Sequence, residues 1–390
     1  FRSATDRLKD EVGQGMAVLR AKDGTCVWKD MSIKYNGPCI LYHDLILTTP
    51  GSYRQSAGAY RLLDGGQHSI TNPLTGELQP WRIYRTYGCN TPVASEHLMT
   101  FRSGAAGFYD LAKHGGTGNI GGFKSGCSAN LIVANGVLNA PDYTRTCSCP
   151  YQNQTSLALV SMPDAEVWTY NLSGLDTPPG RRIIRVGLNF GAPGDRLDDA
   201  GTLWLEYPPG PGISPGLPVT ITPANAAPFR RHSSAASGAD PAWVFASGLR
   251  DIESVRISPQ TLAPDAQQLA TPDGDDEDGG TKSPKKESTA TAKVSPKSNH
   301  APLPPARYTV RLYFLEPDPV NPGQRVFDVL IQGRPALTGF DIVKSARSPN
   351  HGVIKEFKGV AIDGDLLLQL QRAPASALGP ALSGIELALE

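Results

Sequence analysis

The sequence has no net charge and no long apolar run, and it has no cysteine after residue 149. Its 37 basic residues balance its 37 acidic residues, so the formal net charge is +0. A neutral chain has no overall field that would attract nucleic acid or an anionic membrane, and we expect neither partner. No apolar stretch approaches the roughly 20 residues that a transmembrane helix needs, so we also expect no membrane span.

Sequence signatures of catalysis are missing as well. The chain has no G-x-S-x-G, Walker, H-E-x-x-H or Rossmann motif, and none of its 7 histidines lies within four residues of another. The adjacent carboxylates of Asp198 and Asp199 could in principle serve glycoside hydrolysis. However, sequence neighbours tend to point apart, whereas that chemistry needs opposed groups about 5 to 10 Å apart. We predict no catalytic residue and no metal ligand.

Glycine and proline are abundant, with 41 and 34 copies, and they favour short strands and turns over long helices. The clearest strand signal is "YTVRLYFLEPDPVNPGQRVFDVLIQG" (308–333), in which two alternating segments flank a turn-forming stretch. Four sets of apolar residues each fall on one face of an extended segment: Tyr308, Val310, Leu312 and Phe314; Ile184, Val186, Leu188 and Phe190; Leu366, Leu368 and Leu370; Ile385, Leu387 and Leu389. This pattern predicts an all-β fold with packed sheets.

The cysteines are unevenly placed, since all six lie in the first 149 residues. An even number in one β-rich region suits disulfide bonds in an oxidising compartment, with buried thiols as an alternative. Zinc is a competing interpretation, but the "CSC" spacing at 147–149 is not the C-x2-C pair of common zinc sites. We predict at least one oxidised pair among four residues, Cys89, Cys127, Cys147 and Cys149.

A broken repeat occupies the first third of the chain. "AVLRAKDGTCVWKD" (17–30) has the form of a strand, a turn and a strand with a tryptophan, and "PLTGELQPWRI" (73–83) and "LALVSMPDAEVWTYN" (157–171) vary the same form. Repeats at intervals of tens of residues indicate a propeller or a similar array. These motifs resemble the blade repeat of quinoprotein-type, PQQ-like β-propellers, in which a tryptophan stacks between blades, and residues 80–171 are similar to the last blades of large secreted proteins of planctomycete-type bacteria.

That resemblance predicts incomplete propeller blades over residues 1–172, because a closed propeller has typically 4 to 8 blades of four strands. It also leaves open an oxidoreductase that uses pyrroloquinoline quinone. Such enzymes normally place a disulfide between adjacent cysteines over the quinone, whereas Ser148 separates Cys147 from Cys149 here. The motif therefore indicates the scaffold rather than the reaction, and we expect no cofactor.

A second resemblance covers the rest of the chain. The segments "RRIIRVGLNFGAPGDRLDDAGTLWLEYP" (181–208), "RLYFLE", "GQRVFDV", "GFDIV" and "SGIEL" are similar to a malectin or malectin-like domain. The resemblance implies a jelly-roll β-sandwich over residues 181–390 that binds carbohydrate through loops at one end of its two sheets. It implies no catalytic activity.

A stretch of low complexity interrupts this sandwich at about residues 264–305. It contains an acidic block and a lysine-rich block but almost no large apolar residue, so it cannot bury enough surface to offset its ordering entropy. The spacing of Asp273, Asp275 and Glu277 has some likeness to a calcium loop, but the required Gly and Glu positions hold Asp278 and Pro284. We predict a disordered insertion.

Candidate sugar-binding residues follow from what a carbohydrate site needs, namely aromatic rings for apolar sugar faces and polar groups for hydroxyls. Five residues in or near the early loops of the sandwich have these chemistries: Trp204, Tyr207, Asp198, Asp199 and Trp243. Packing inside the sandwich is the alternative for the two tryptophans. We expect Trp204 to be a stacking platform beside the acidic loop.

Together these features predict a non-catalytic protein of the periplasm, the cell surface or the extracellular space. The sandwich would bind carbohydrate or glycan, and the propeller would serve as a scaffold or dock another protein or the missing blades. A fragment of a PQQ-dependent oxidoreductase and a purely structural envelope component are the alternatives.

Overall fold

A computed structural model describes residues 13–35, 38–49, 57–83, 91–103, 105–119, 131–140, 156–160, 175, 178–209, 217–261, 303–348 and 350–390. The predicted all-β fold is confirmed, because strands dominate these residues and the helical segments are short. In the same residues, no helix combines the length and the apolar composition needed to cross a membrane. Most of the predicted insertion at 264–305 and the four cysteines predicted to pair lie outside the described residues.

The first part of the chain forms short strands, in keeping with its many turn residues. They are β1 (Gly13–Leu19), β2 (Cys26–Tyr35), β3 (Ile40–Tyr42), β4 (Leu45–Leu47), β5 (Ala57–Arg61), β6 (Ser69–Thr71), β7 (Leu78–Pro80), β8 (Arg82–Ile83), β9 (Val93–Ala94), β10 (Leu98–Ser103), β11 (Ala105–Asp110), β12 (Gly115–Asn119), β13 (Ile132–Ala134), β14 (Val137–Ala140) and β15 (Leu157–Val160).

Two of the sheets in this region have the strand count of a propeller blade. One is an antiparallel meander in the order β12-β11-β10-β9, and the other has the order β3-β4-β5-β8. Trp81, in the second predicted repeat, is buried and meets Tyr109 of the neighbouring sheet edge-on, with ring centroids 5.5 Å apart. Trp28 is partly buried and donates its indole N–H to the carbonyl oxygen of Leu62, whereas Trp168 lies outside the described residues. The partial propeller stays a prediction.

The second part of the chain forms the strands of a sandwich and one short helix. The strands are β16 (Arg185–Phe190), β17 (Arg196–Leu197), β18 (Leu203–Tyr207), β19 (Val219–Thr222), β20 (Ala227–Arg230), β21 (Ser237–Gly238), β22 (Ser247–Arg250), β23 (Ser254–Ile257), β24 (Ala306–Phe314), β25 (Val326–Ile331), β26 (Arg334–Asp341), β27 (His351–Ile362), β28 (Leu366–Arg372), β29 (Ala381–Leu382) and β30 (Gly384–Leu389). The helix is α1 (Ile342–Ala346), and Ser233–Ala235 and Ala242–Ala246 are single 3₁₀ turns.

Two large sheets pack face to face. One has the order β17-β18-β16-β30-β24-β27-β21 and the other the order β19-β23-β28-β25-β26, while β20, β22 and β29 form a smaller sheet. The alternating residues predicted from the sequence fill the space between the large sheets, since nearly all of them belong to one buried cluster. Ile184 and Leu389 are the exceptions. Both are only partly buried, and Leu389 packs against the margin of this core, whereas Ile183 rather than Ile184 belongs to it.

The strands of the segment 308–333 belong to different sheets. β24 lies in the seven-stranded sheet and β25 in the five-stranded sheet, so residues 315–325 cross from one layer to the other. The sequence showed two strands around a short loop but not this crossing, because alternation alone does not say which strands pair. We call the end of the sandwich where this crossing lies the loop end.

The outer face of the seven-stranded sheet is partly covered. Tyr313 alternates with the core residues of β24, yet it is almost fully buried, because the turn Ala242–Ala246 packs against it through Phe245. The turn and the side chains beneath it form a second, smaller apolar cluster on the outer side of this sheet, opposite the main core.

The turn that contains Leu74 attaches the first part of the chain to the sandwich. Leu74 is only 1% exposed and belongs to the main sandwich core. Its carbonyl oxygen accepts a hydrogen bond from the backbone N–H of Ile184, with a donor–acceptor distance of 2.7 Å. An ion pair between Glu77 and Arg181 lies beside this contact.

Residues 181–390 expressed alone should therefore unfold in one cooperative transition, but at a lower temperature than the full chain. In the full chain, Leu74→Ala should lower the free energy of unfolding by about 2 to 5 kcal/mol, because it empties part of the same core. Circular dichroism melts check both results, with Leu78→Ala as the control because Leu78 is 76% exposed. A fragment without a cooperative transition would contradict the domain boundary.

Candidate functional site

The acidic residues predicted for the site lie on the turn between β17 and β18. The carboxylate of Asp198 accepts hydrogen bonds from the indole N–H of Trp204, at 3.0 Å, and from the backbone N–H of Thr202, at 2.8 Å. The side chain of Asp199 is 94% exposed and forms an ion pair with Lys113 in the first part of the chain. Asp198 thus closes its own turn, whereas Asp199 faces the neighbouring region.

Trp204 does not have the exposed position that a stacking platform needs. Only 1% of it is exposed, because the outer face of its sheet is covered by the turn Ala242–Ala246. Its ring meets Tyr313 and Trp243 edge-on, with centroid distances of 4.9 and 5.9 Å. In this arrangement the indole of Trp204 packs beneath the turn Ala242–Ala246, and its role as a stacking platform stays a prediction.

The other two aromatic residues of the predicted set, Trp243 and Tyr207, lie on opposite sides of the sheet that contains β18. Trp243 is largely buried beside Trp204, and the guanidinium of Arg196 lies 4.6 Å from the centroid of its ring. Tyr207 points into the main core and packs edge-on against Phe190. The structure therefore brings Trp204, Trp243 and Asp198 together and separates Tyr207 from them. Sugar binding at these residues stays a prediction.

Glu386 anchors a hydrogen-bond network beneath the Trp204 cluster. Its side chain is 3% exposed, and its carboxylate accepts hydrogen bonds from Arg185, Thr202, Arg311 and Tyr313. Burial alone would raise the pKa of Glu386, but the hydrogen bond and positive charge of Arg311, with help from the other donors, hold it below its ordinary value. These donors all bind Glu386 within the fold, and together they stabilise its ionised carboxylate.

The lowered pKa of Glu386 predicts a loss of stability in acid. Because the folded pKa lies below the unfolded one, the stabilisation is complete above about pH 4.3, the ordinary glutamate value, and falls as the pH drops through the folded pKa. Glu386→Gln should therefore be less stable than the natural chain at pH 7, and the difference should shrink toward pH 3. Urea midpoints measured at both pH values test this, with the exposed Glu253→Gln as the control. A difference that stays constant would contradict the assignment.

A second charged network holds the loop end together. Arg325 donates to the carboxylates of Glu316, at 2.7 Å, and Asp318, at 2.8 Å, and Arg250 donates two hydrogen bonds to Asp318. Glu316 and Arg325 are 0% and 2% exposed. Burial raises the pKa of Glu316, whereas the hydrogen bonds from Arg250 hold the pKa of Asp318 below its usual value. This network ties the two ends of the 315–325 crossing together and fixes the crossing to β22.

A polar groove of about 590 Å³ lies beside this network, on the outer face of the five-stranded sheet. We call it the loop-end groove, and its lining residues are Thr222, Asp251, Glu253, Ser254, Gln369, Leu370, Gln371, Arg372, Gly379 and Pro380. Arg325 also donates to the carbonyl oxygen of Gly379, so the buried network supports one wall of the groove. Two elements build most of the remaining lining, the turn 251–254 and the end of β28.

The side chains in the groove are available for a ligand. Those of Glu253, Gln369 and Gln371 make no hydrogen bond or ion pair with any residue that the structure describes. Arg372 is already committed, since its guanidinium donates to the carbonyl oxygens of Ser376 and Ala377. Among the described residues, no group of three or more His, Cys, Asp or Glu side chains is placed to hold a metal ion.

The patterns in the sequence did not predict this groove. Its two halves lie more than a hundred residues apart in sequence, so nothing in the local pattern joins them. The one available signal was the alternation of β28, which we used only for the inward residues Leu366, Leu368 and Leu370. The outward residues that alternate with them include Gln369 and Gln371, which place two amides on the same face of the strand.

Comparison with known families identifies the part of the chain that contributes one side of the groove. Residues 278–377 match the family model of the malectin domain. These residues are similar to a malectin domain. This match covers β24 to β28 and therefore includes Glu316, Arg325, Gln369 and Gln371. The turn 251–254 lies outside the matched residues, although it pairs with β28 in the same sheet.

The proteins to which the chain is similar include plant receptor kinases. A nodulation receptor kinase of Pisum sativum is 33% identical over 81 residues, which are 20% of this chain and 8% of that protein. The ANX2 ectodomain of Arabidopsis thaliana is 13% identical, with a TM-score of 0.33, and the match covers 60% of this chain and 57% of that one. A β-glucuronidase 2 of Bacteroides uniformis is 13% identical, with a TM-score of 0.35, and the match covers 77% of this chain and 28% of that one. The chain thus spans less than two thirds of each of these proteins.

Proposed function

We propose that this protein is a non-catalytic, glycan-binding protein of the periplasm, the cell surface or the extracellular space. The observation that supports this most strongly is the loop-end groove, which places free amide and carboxylate groups on the outer face of the malectin-containing sandwich. Malectin domains bind carbohydrate, and the groove offers the chemistry that such binding needs. We propose it as the binding site.

The groups in the groove match the hydroxyls of a sugar. Each hydroxyl donates one hydrogen bond and accepts others, while an amide such as Gln369 or Gln371 does both and a carboxylate such as Glu253 accepts. Gln369 and Gln371 stand on β28, and backbone hydrogen bonds to Thr222 and Leu370 hold the turn that carries Glu253, so little ordering is needed when a ligand arrives. Each new hydrogen bond replaces one to water, so we expect affinities in the micromolar to millimolar range.

The first part of the chain would act as a scaffold or as a docking platform for another protein. The Leu74 contact and the ion pair between Lys113 and Asp199 support a fixed position relative to the sandwich. A fixed platform would present the groove in a defined direction. We propose no chemical step for this region and no cofactor.

A glycan array on the full chain tests the proposal. The natural chain should bind at least one glycan class. Gln369→Ala combined with Gln371→Ala should remove the signal without changing the melting temperature, because Gln371 is exposed and neither amide side chain bonds another residue in the described part of the chain. Lys358→Ala is the matched control, since that exposed residue lies on the other sheet. Asp199→Ala tests the site predicted at the turn between β17 and β18. Loss of binding in Asp199→Ala alone would move the site to that turn. No binding by the natural chain would contradict the proposed function.

A further inference from the structure

A second polar groove lies on the same outer face as the loop-end groove, toward the opposite end of the sheet. It has a volume of about 550 Å³ and is lined by Arg256, Gln332, Gly333, Asp363, Gly364, Asp365 and Leu367. We call it the far groove. Its floor is fixed, because the side-chain amide of Gln332 donates to the carbonyl oxygens of Ala361 and Asp365 and accepts from the backbone N–H of Leu367.

The two grooves are connected by the same two strands. β23 and β28 are antiparallel neighbours, and their register places Ser254 opposite Gln369 and Arg256 opposite Leu367. All four side chains point away from the core, since the residues between them on each strand are buried. Ser254 and Gln369 belong to the loop-end groove, while Arg256 and Leu367 belong to the far groove. Along the strands, the pair Ser254 and Gln369 is only two residues from the pair Arg256 and Leu367. No other element therefore separates the two grooves.

We propose that the two grooves form one continuous track that binds the interior of an extended glycan chain lying along β23 and β28. The inference rests on the proposed function and adds the form of its ligand. From Gln371 to Leu367 the track follows four residue steps of a strand, or about 13 Å, and the grooves extend it at both ends. A single sugar ring would occupy only part of this length, whereas a chain of several units would contact both grooves.

The side chains of the track also indicate the charge of the chain. The two linings contain four carboxylates, from Asp251, Glu253, Asp363 and Asp365, but only two guanidinium groups. Of these two, Arg372 already donates to backbone carbonyls, and Arg256 lies 3.5 Å from the carboxylate of Asp365. A uronic acid or sulfated polymer would meet an excess of negative charge. The track therefore suits a neutral glycan, with amides and carboxylates for its hydroxyls and Leu367 for an apolar sugar face.

An array that prints each glycan class as a ladder of one to six units tests this inference. The ladders would be oligomers of glucose, mannose, galactose, xylose and N-acetylglucosamine, with oligogalacturonic acid as the anionic series. For the neutral class that binds, we expect the affinity to rise about tenfold or more between two and five units, and we expect no signal from the anionic series.

Two variants separate the grooves from each other. Arg256→Ala should reduce the affinity for the five-unit oligomer several-fold and leave that for the two-unit oligomer unchanged, whereas Gln371→Ala should weaken both. Arg256 is more than half exposed and, among the residues that the structure describes, makes one ion pair at the surface, so its loss should not disturb the fold. An affinity that does not depend on length, or an anionic ladder as the strongest ligand, would overturn the track but leave the proposed function standing. The absence of binding to every ladder would overturn both.

Discussion

Arg325→Ala should lower the free energy of unfolding by about 3 to 5 kcal/mol, because it leaves the carboxylate of Glu316 buried without its partner. Both side chains are almost completely covered, and the same guanidinium also bonds Asp318 and the carbonyl oxygen of Gly379. The variant therefore removes two ion pairs and one hydrogen bond to the backbone at once. Urea unfolding followed by circular dichroism measures the loss.

Two comparison variants show whether burial causes this effect. Replacing both partners, with Glu316→Gln and Arg325→Met, removes the isolated charge and should recover much of the lost stability. Arg61→Ala breaks an exposed ion pair with Asp64 and should cost less than about 1 kcal/mol. If Arg325→Ala proved as mild as Arg61→Ala, the buried network would not be holding the loop end together.

Trp204→Ala should also destabilise the chain by about 3 to 5 kcal/mol, the usual range for removing a buried tryptophan ring. Its indole packs edge-on against Tyr313 and Trp243, and its N–H closes the Asp198 turn. Trp204→Phe is the matched variant, since it keeps an aromatic ring but removes the N–H donor, and it should retain a larger part of the stability. Thermal melts and urea titrations measure both variants.

A different result would support the stacking role that the sequence predicts for Trp204. If Trp204→Ala left the melting temperature unchanged but removed glycan binding, Trp204 would be a stacking platform after all. Such a result would require the turn Ala242–Ala246 to move away from the ring, because this turn covers it in the structure.

The inner architecture of the sandwich could be predicted from the sequence, because inward residues repeat with a period of two. The sets on β16, β24, β28 and β30 were all recognised in this way, and the structure places them between the two sheets. In the structure, Trp204 lies on the face of β18 opposite Leu203 and Leu205. Alternation could not show that a turn some forty residues later covers that face, because such contacts join distant parts of the chain.

The candidate site was harder to predict for the same reason. The groove joins the turn 251–254 to the end of β28 through strand pairing, and no local pattern reports that pairing. Its residues are amides, hydroxyls and carboxylates, which on a surface strand look like ordinary solvated positions. The five residues chosen from the sequence were instead selected for aromatic and acidic character, and this criterion found a packed cluster and a turn.

Hydrogen exchange of the full chain with and without a bound saccharide tests the central claim most directly. The probe is the oligosaccharide with the strongest array signal, at a concentration that saturates the chain. Peptides that cover 251–254 and 367–372 should exchange more slowly in its presence, whereas those around 198–204 should not change. Slower exchange around 198–204 with no change in the groove would contradict the account and place the sugar at the turn that carries Asp198.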